Sequence, residues 1–326
     1  MTAREVATAI GHACWEQGIE CTEVPMADGG DGLLEALGGA NRTSTVTGPL
    51  GDPVLAPWRL AGRTAVIEMA LASGLALIGG AESNDAMAAT TAGTGELIDG
   101  ALDAGATRII VGLGGSATTD GGFGAIRSIS AIARLRNVEL LAACDVTTRF
   151  RDAAEVFGPQ KGATPAQVQM LGRRLDRITQ LFLDDFDFDV AEIDGGGAAG
   201  GLGGALAALG ATLLPGFELV ADELDLYDHL DGADLVITGE GRLDATSFQG
   251  KVVGGLTEIA ADAGVPIVAI VGSVADTLAA AAHPDLAVMS LVDNYGEVLA
   301  FEQPKRCVER AAADVLRSRT ASPRSR

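Results

Sequence analysis

Residues 107–136 have the sequence TRIIVGLGGSATTDGGFGAIRSISAIARLR, which predicts a buried strand at 107–111, a glycine-rich loop at 112–124 and a helix at 125–136. Strand and helix alternate again from residue 235 onward, with strands predicted at 235–238, 266–272 and 286–292 and a helix from Pro304. Because such alternation is typical of parallel sheets, the sequence predicts an α/β fold.

The other segments predict a less regular arrangement. The chain opens on a helix, because Thr2 and Glu5 form a capping-box pattern and apolar residues follow at helical spacing. Further predicted elements are a strand at 19–25, a β-rich segment at 46–78, helices at 90–105, 164–182 and 205–209, and a strand that ends at Cys144–Asp145.

Length and charge limit the function classes. A chain of 326 residues, 48% of them hydrophobic, exceeds what one core usually serves, so two domains are expected. The net charge of −21 disfavours nucleic acid and anionic lipid surfaces as partners. An anionic substrate must then be held by local donors, such as backbone N–H groups and metal ions.

The cysteines and histidines form no catalytic pattern. The four cysteines have neither CxxC nor zinc-ligand spacing, which predicts reduced thiols and a cytoplasmic location. The histidines lie outside any HExxH or nucleophile-elbow motif, which disfavours zinc hydrolases and Ser-His-Asp enzymes. No apolar run approaches the roughly 20 residues that a membrane helix needs, so a membrane partner is not expected.

The segment PMADGGDG (25–32) follows the predicted strand at 19–25, and ligands bind at such strand ends in parallel sheets. Asp28 and Asp31 suit Mg²⁺ binding or general-base chemistry, and Gly29 and Gly30 between them suit a close substrate contact. Asp and Gly also make ordinary turns, and for an isolated DGGDG the ordinary turn is the favoured interpretation.

The loop GLGGSATTDGG (112–122) gives a stronger signal. Its glycines let backbone N–H groups converge on an anion ahead of a helix, and Asp120 is a candidate metal ligand. The loop lacks the GK[ST] of a Walker A motif, but its GxGxxA pattern leaves an NAD-dependent oxidoreductase as an alternative. The residues predicted to bind phosphate or substrate here are Gly114, Gly115, Ser116, Thr118 and Thr119.

A third loop, GEGRLDATSFQGK (239–251), also follows a predicted strand. Arg242 and Lys251 can contact phosphate, and Asp244 can hold a metal or accept a proton. Gly239 and Glu240 at the start of this loop are further candidates for substrate or phosphate binding. Lys161 in FGPQKG (157–162) suits either an ordinary loop or a contact with a sugar acid or phosphate.

These loops predict a phosphate-handling α/β enzyme, because positioning and electrostatics supply most of the catalysis in phosphoryl transfer. The motifs also occur together in one known family. The chain resembles the bacterial type I glycerate kinases over nearly its whole length. The motifs that carry the resemblance, in chain order, are PMADGGDG, ATTAGTGELI, GLGGSATTDGG, ACDVTTRF, FGPQKGAT, GGGAAGGLGGAL, PGFELV and DLVITGEGRLDATSFQGK.

The resemblance implies two α/β domains with the active site in the cleft. A Rossmann-like parallel-sheet domain would comprise residues 1–45 and 228–326, and a second α/β domain, residues 46–227, would be inserted in it. Members of the family usually begin with a strand and an Asp-x-Phe-Lys-Gly-Ser loop ahead of the stretch that starts at Thr2. This sequence lacks both, so we expect the true start to lie upstream. The segment between Gly124 and Cys144 is also shorter than in many relatives.

The resemblance further implies a cytoplasmic kinase that uses ATP and Mg²⁺ to phosphorylate D-glycerate, with the 2-position favoured and a homodimer as one oligomeric state. Asp28, Asp31 or Asp244 would be the base or a metal ligand, and Arg242 and Lys251 would offset developing charge. A non-catalytic protein that binds glycerate or nucleotide is the alternative from another class.

Overall fold

The computed structural model describes residues 1–275 and 284–320, and the chain divides into two compact units. Unit 1 comprises Met1–Ala27 together with Val220–Arg326, and unit 2 comprises Asp28–Leu219. The boundaries thus differ from those that the resemblance implies, since residues 28–45 lie in unit 2. The physical reason is that the strand Arg42–Thr47 pairs with Pro53–Ala61 of the same unit.

The strands form two sheets, one in each unit. Unit 2, which is described throughout, contains a sheet in the order β1-β2-β3-β4-β5-β6, with β1 to β3 antiparallel and β3 to β6 parallel. Among the described residues of unit 1, the sheet is parallel in the order β7-β8-β9. The strands are β1 (Arg42–Thr47), β2 (Pro53–Ala61), β3 (Thr64–Glu68), β4 (Arg108–Gly112), β5 (Glu139–Ala143), β6 (Thr212–Leu214), β7 (Val236–Leu243), β8 (Ile267–Val274) and β9 (Leu286–Ser290).

Helices accompany both sheets, which confirms the predicted α/β class. None of the described helices is long and apolar enough to span a membrane. The α-helices are α1 (Ala3–Glu16), α2 (Leu33–Ala36), α3 (Ala70–Ser73), α4 (Ala92–Asp103), α5 (Phe123–Ser128), α6 (Ala153–Phe157), α7 (Pro165–Phe186), α8 (Ala198–Ala208), α9 (Gly216–Glu223), α10 (Leu226–Leu230), α11 (Val252–Asp262), α12 (Leu291–Tyr295), α13 (Glu297–Glu302) and α14 (Pro304–Thr320). Short 3-10 helices lie at Ala76–Ile78, Ala81–Ser83, Ile132–Asn137, Phe150–Asp152, Pro159–Lys161 and Ala245–Phe248.

Two predicted elements are wrong. No strand forms at 19–25, because a strand needs a hydrogen-bonded neighbour and this segment pairs with none of the described strands. At the edge of the unit 1 sheet, β7 pairs only with β8 among the described residues. The helix predicted over 125–136 is broken after Ser128, since Ile129 has an extended backbone and a 3-10 helix takes over at Ile132.

The long helix α7 shows how local sequence and core packing agree. Thr164 caps its N-terminus in a reciprocal capping box with Gln167, and Pro165 occupies the first turn, where a missing N–H costs nothing. Its buried face packs into a core that contains the edge-to-face ring pair Phe150 and Phe182. The α7 residues buried in that core are Leu171, Leu175, Ile178 and Phe182.

Replacing Thr164 by alanine is expected to lower the free energy of unfolding by about 1 kcal/mol, because the side-chain acceptor for the Gln167 N–H is lost. Urea unfolding followed by circular dichroism measures the change. Thr164→Ser keeps the hydroxyl and serves as the control. Equal stability of the alanine and serine variants would show that the box does not hold the helix end.

Candidate active site

Two of the predicted loops meet at one cavity in unit 2. The cavity has a volume of about 470 Å³ and lies where β4 and β5 end, the edge at which parallel sheets bind ligands. Segments 28–30 and 114–116 both line it, and Lys161 from the 3-10 helix Pro159–Lys161 joins them. The sequence-predicted site residues on this cavity are Asp28, Gly29, Gly30, Gly114, Gly115, Ser116 and Lys161.

Glycine is required where these two loops touch. A Cβ atom on Gly114 would lie 2.4 Å from the Gly30 Cα, closer than any real contact, so the two backbones pack directly on each other. Gly115 has a φ of +68°, which strains any residue with a side chain. The glycines therefore bring main-chain groups of both loops to the cavity wall.

Backbone and amide hydrogen bonds fix the 112–122 loop. The Ala117 N–H donates to the Ser73 carbonyl at 3.0 Å, and the Leu75 N–H donates to the Gly115 carbonyl at 2.9 Å. The Asn84 amide donates both to the Ala117 carbonyl and to the Lys161 carbonyl, at 2.9 and 2.8 Å. Asn84 thus joins the loop to the segment that carries Lys161, a role that the sequence did not indicate.

The second glycine-rich stretch, 195–204, supports the loop from behind. A Cβ atom on Gly200 would lie 2.0 Å from the Thr118 carbonyl oxygen, and the Gly121 N–H donates to the Gly200 carbonyl at 3.0 Å. Thr118 and Thr119 are fully buried in this packing and do not line the cavity. The Thr118 hydroxyl donates to the Ala199 carbonyl at 3.2 Å, and the Thr118 carbonyl takes part in the site. The buried Thr119 hydroxyl has no hydrogen-bond partner in the described structure.

Asp120 is engaged within the fold. Its buried carboxylate accepts hydrogen bonds from the Thr91 N–H and hydroxyl, both at 2.9 Å, and from the N–H groups of Gly122 and Gly124, both at 3.1 Å. These donors account for both oxygens without a metal ion. In the described part of the chain, no three His, Cys, Asp or Glu side chains form a group that could hold a metal.

Asp120→Asn is expected to lower the free energy of unfolding by about 2 kcal/mol, because an amide nitrogen would face N–H donors that now meet a carboxylate. The loss should be the same with Mg²⁺ and with a chelator, as measured by urea unfolding in both. Asp99→Asn, at a more exposed carboxylate that accepts from Ser130, is the control and should cost less. A loss seen only with Mg²⁺ would instead identify Asp120 as a metal ligand.

Lys161 and Ser116 form a buried polar pair on the cavity wall. The Lys161 ammonium nitrogen, Nζ, lies 2.7 Å from the Ser116 Oγ and 2.7 Å from the Thr118 carbonyl oxygen. Burial lowers the pKa of Lys161 to about 7, and the negative charge of Asp120 opposes that shift. Lys161 can therefore lose its proton and become a neutral amine at physiological pH.

Two carboxylates, those of Asp28 and Asp145, line the same cavity. Asp28 accepts a hydrogen bond from the Gly30 N–H at 3.3 Å, and Asp145 accepts one from the Gly216 N–H at 2.7 Å. Sequence reasoning missed Asp145 as a site residue, although its position directly after a buried strand was a usable signal. Asp31, by contrast, is exposed and lies beside Gly115 without lining the cavity.

The 239–251 loop belongs to unit 1. Gly239, Glu240 and Arg242 lie in β7, and Arg242 is exposed. Asp244 caps the 3-10 helix Ala245–Phe248, and its hydrogen bond with the Thr246 hydroxyl lowers the pKa of its carboxyl group. The Lys251 ammonium group donates to the Thr246 hydroxyl at 3.4 Å, so the loop holds its charged side chains around one turn.

Comparisons with known proteins agree with this arrangement. The model of the glycerate kinase family matches residues 1–133 and 126–320. The chain belongs to the glycerate kinase family. It is 40% identical to the glycerate 2-kinase of Escherichia coli (strain K12), over 91% of this chain and 88% of that protein. It is 39% identical to the glycerate kinase of Bacillus subtilis (strain 168), over 98% of this chain and 94% of that protein.

The fold of the glycerate kinase family is also seen directly in a relative. A crystal structure named for glycerate kinase 2 from Salmonella typhimurium LT2 superposes with a TM-score of 0.83 at 38% identity, covering 98% of this chain and 95% of that one. This member of the glycerate kinase family is thus a kinase. The alternative of an NAD-dependent oxidoreductase has no support, because α5 starts only at Phe123, six residues after the GxGxxA pattern ends.

Proposed function

We propose that this kinase transfers the γ-phosphoryl group of ATP to D-glycerate and forms 2-phosphoglycerate. The observation that carries the proposal is the meeting of segments 28–30 and 114–116 with Ser116, Lys161 and Asp145 at one cavity. Its volume of about 470 Å³ falls in the usual range for small-molecule sites. The name of the Escherichia coli relative, glycerate 2-kinase, supports the 2-position as the acceptor.

The cavity residues suit a small hydroxy acid. Main-chain groups of Gly114 and Gly115 can approach a carboxylate or phosphate closely, because no side chain intervenes. Ser116 supplies a hydroxyl group, and the carboxylates of Asp28 and Asp145 can accept hydrogen bonds from substrate hydroxyl groups. The predicted substrate-binding role of Gly29, Gly30 and Lys161 is consistent with their place on the cavity wall.

Mg²⁺ fits this donor set when it arrives with a nucleotide. The ion usually takes one or two protein carboxylates and completes its shell with phosphate oxygens and water, so Asp28 or Asp145 could hold it without a dedicated protein cage. Bound there, Mg²⁺ would neutralise charge on the phosphates. In unit 1 we propose that Arg242 and Lys251 contact ATP phosphates and that Asp244 orients them or holds the ion.

A coupled assay of ADP release tests the proposal with D-glycerate, with L-glycerate and with no acceptor. We expect turnover with D-glycerate but not with L-glycerate or without an acceptor. Phosphorus NMR of the product should show phosphate on the 2-position. Asp28→Asn and Asp244→Asn should each lower turnover. Full turnover by both variants would refute the proposed site, and binding of D-glycerate without turnover would favour a non-catalytic role.

A further inference from the structure

Ser116 and Lys161 form a polar pair that is buried and yet lines the cavity of unit 2. Lys161 is 4% exposed and Ser116 is 8% exposed, yet both line the cavity. No carboxylate lies within 4.0 Å of the Lys161 Nζ in the part of the chain that the structure describes. A lysine buried among neutral acceptors has lost its hydration without gaining an ion pair, which favours the amine over the ammonium form.

The Lys161 Nζ contacts the Ser116 Oγ and the Thr118 carbonyl, both at 2.7 Å, and as an ammonium group it donates to both. The neutral amine has two N–H donors and one lone pair, so it keeps the donation to the Thr118 carbonyl and can accept the Ser116 hydroxyl proton. The centroid of the Phe157 ring lies 5.9 Å from Nζ. The amine is thereby aimed at one exchangeable proton, that of Ser116.

We propose that Ser116 and Lys161 relay the proton of the acceptor hydroxyl during phosphoryl transfer. This inference rests on the proposed function. As the substrate oxygen forms its bond to the γ-phosphorus and the bond from that phosphorus to the ADP oxygen breaks, the hydroxyl proton passes to the Ser116 Oγ. The Ser116 proton passes at the same time to the Lys161 Nζ. Lys161 ends as an ammonium ion beside the new phosphate ester and is reset by loss of a proton to solvent.

The other titratable groups near the pair are less suited to this step. Asp28 and Asp145 share the cavity, and their carboxylates accept the N–H groups of Gly30 and Gly216, whereas Lys161 contacts the Ser116 hydroxyl directly. Burial raises the pKa of the Cys144 thiol, so Cys144 stays protonated. Asp120 acts on Lys161 only by its charge, and its own oxygens are engaged elsewhere.

The pH dependence of kcat/KM for D-glycerate, at saturating MgATP, tests the relay. The wild type should gain activity with rising pH through an apparent pKa near 7. Lys161→Arg keeps a cation that cannot accept a proton, and it should lose about 100-fold or more in kcat/KM together with that dependence. Ser116→Ala should lose a similar factor. Lys305→Met, at an exposed lysine of α14, is the control and should match the wild type.

A second measurement needs no variant to remain active. The protein has three lysines, Lys161, Lys251 and Lys305, so NMR of lysine labelled with ¹³C at Cε resolves each one, and single Arg variants assign them. We expect one lysine, Lys161, to titrate near pH 7 in the resting enzyme.

Three results would overturn the relay while leaving the proposed function intact. They are near-normal turnover by Lys161→Arg, wild-type activity that falls as pH rises through 7, or titration of Lys161 near its ordinary value of 10.5. The second of these would show that Lys161 serves as a cation. Absence of D-glycerate turnover in the wild type would instead refute the proposed function, and the relay with it.

Discussion

Gly114→Ala is expected to lower kcat/KM for D-glycerate by about 100-fold or more, because small misplacements of substrate-positioning groups have effects of this size. The added Cβ would lie 2.4 Å from the Gly30 Cα, and neither backbone can move away as a side chain could. The 28–32 and 112–122 loops must therefore separate. Steady-state kinetics measures the loss, and thermal unfolding shows whether the rest of the chain stays folded.

Gly172→Ala is the matched control for that substitution. Gly172 lies within α7, and a Cβ atom placed on it meets nothing within 4 Å. Alanine there should leave activity unchanged and raise stability by up to about 1 kcal/mol, since glycine is unfavourable inside a helix. Normal activity of Gly114→Ala would show that the contact between the two loops does not shape the site.

Asp145→Asn is expected to reduce kcat/KM for D-glycerate by about 100-fold. The asparagine side-chain oxygen can still accept the hydrogen bond that Asp145 now takes from the Gly216 N–H at 2.7 Å, so the backbone should keep its place. The loss would then report the missing negative charge in the cavity. Steady-state kinetics, with D-glycerate and MgATP varied in turn, shows whether the loss appears in kcat/KM for D-glycerate, for MgATP or for both.

Asp189→Asn provides the comparison, because Asp189 also accepts a backbone N–H, that of Ala191 at 2.9 Å, but does not line the cavity. It should retain full activity. A change of less than about threefold for Asp145→Asn would place this carboxylate outside the chemistry.

Local rules predicted much of the fold. The capping-box pattern at Thr2 and the helix predicted from Thr164 match the starts of α1 and α7, and the apolar run after Thr107 forms β4. The predictions failed where contacts with other segments determine the local structure. The strand expected at 19–25 has no neighbour to pair with in the described structure, and the periodic segment after Ser128 cannot continue as an α-helix past the extended Ile129.

The candidate site was predictable where glycine patterns report close backbone contacts. Segments 28–30 and 114–116 do meet at one cavity, although only the second of them follows a strand in the structure. The metal role of Asp120 stays a prediction. The fold adds that Thr91, Gly122 and Gly124 donate to its carboxylate, which the sequence alone did not show. Burial, which sets the pKa of Lys161, is likewise a property of the folded chain.

The most direct test of the central claim is the crystal structure of the protein with D-glycerate. We predict difference density for the ligand in the cavity of unit 2, within hydrogen-bond distance of Ser116 and of a carboxylate of Asp28 or Asp145. D-glycerate bound elsewhere, with this cavity holding only solvent at saturating ligand, would contradict the assignment of the cavity as the acceptor site.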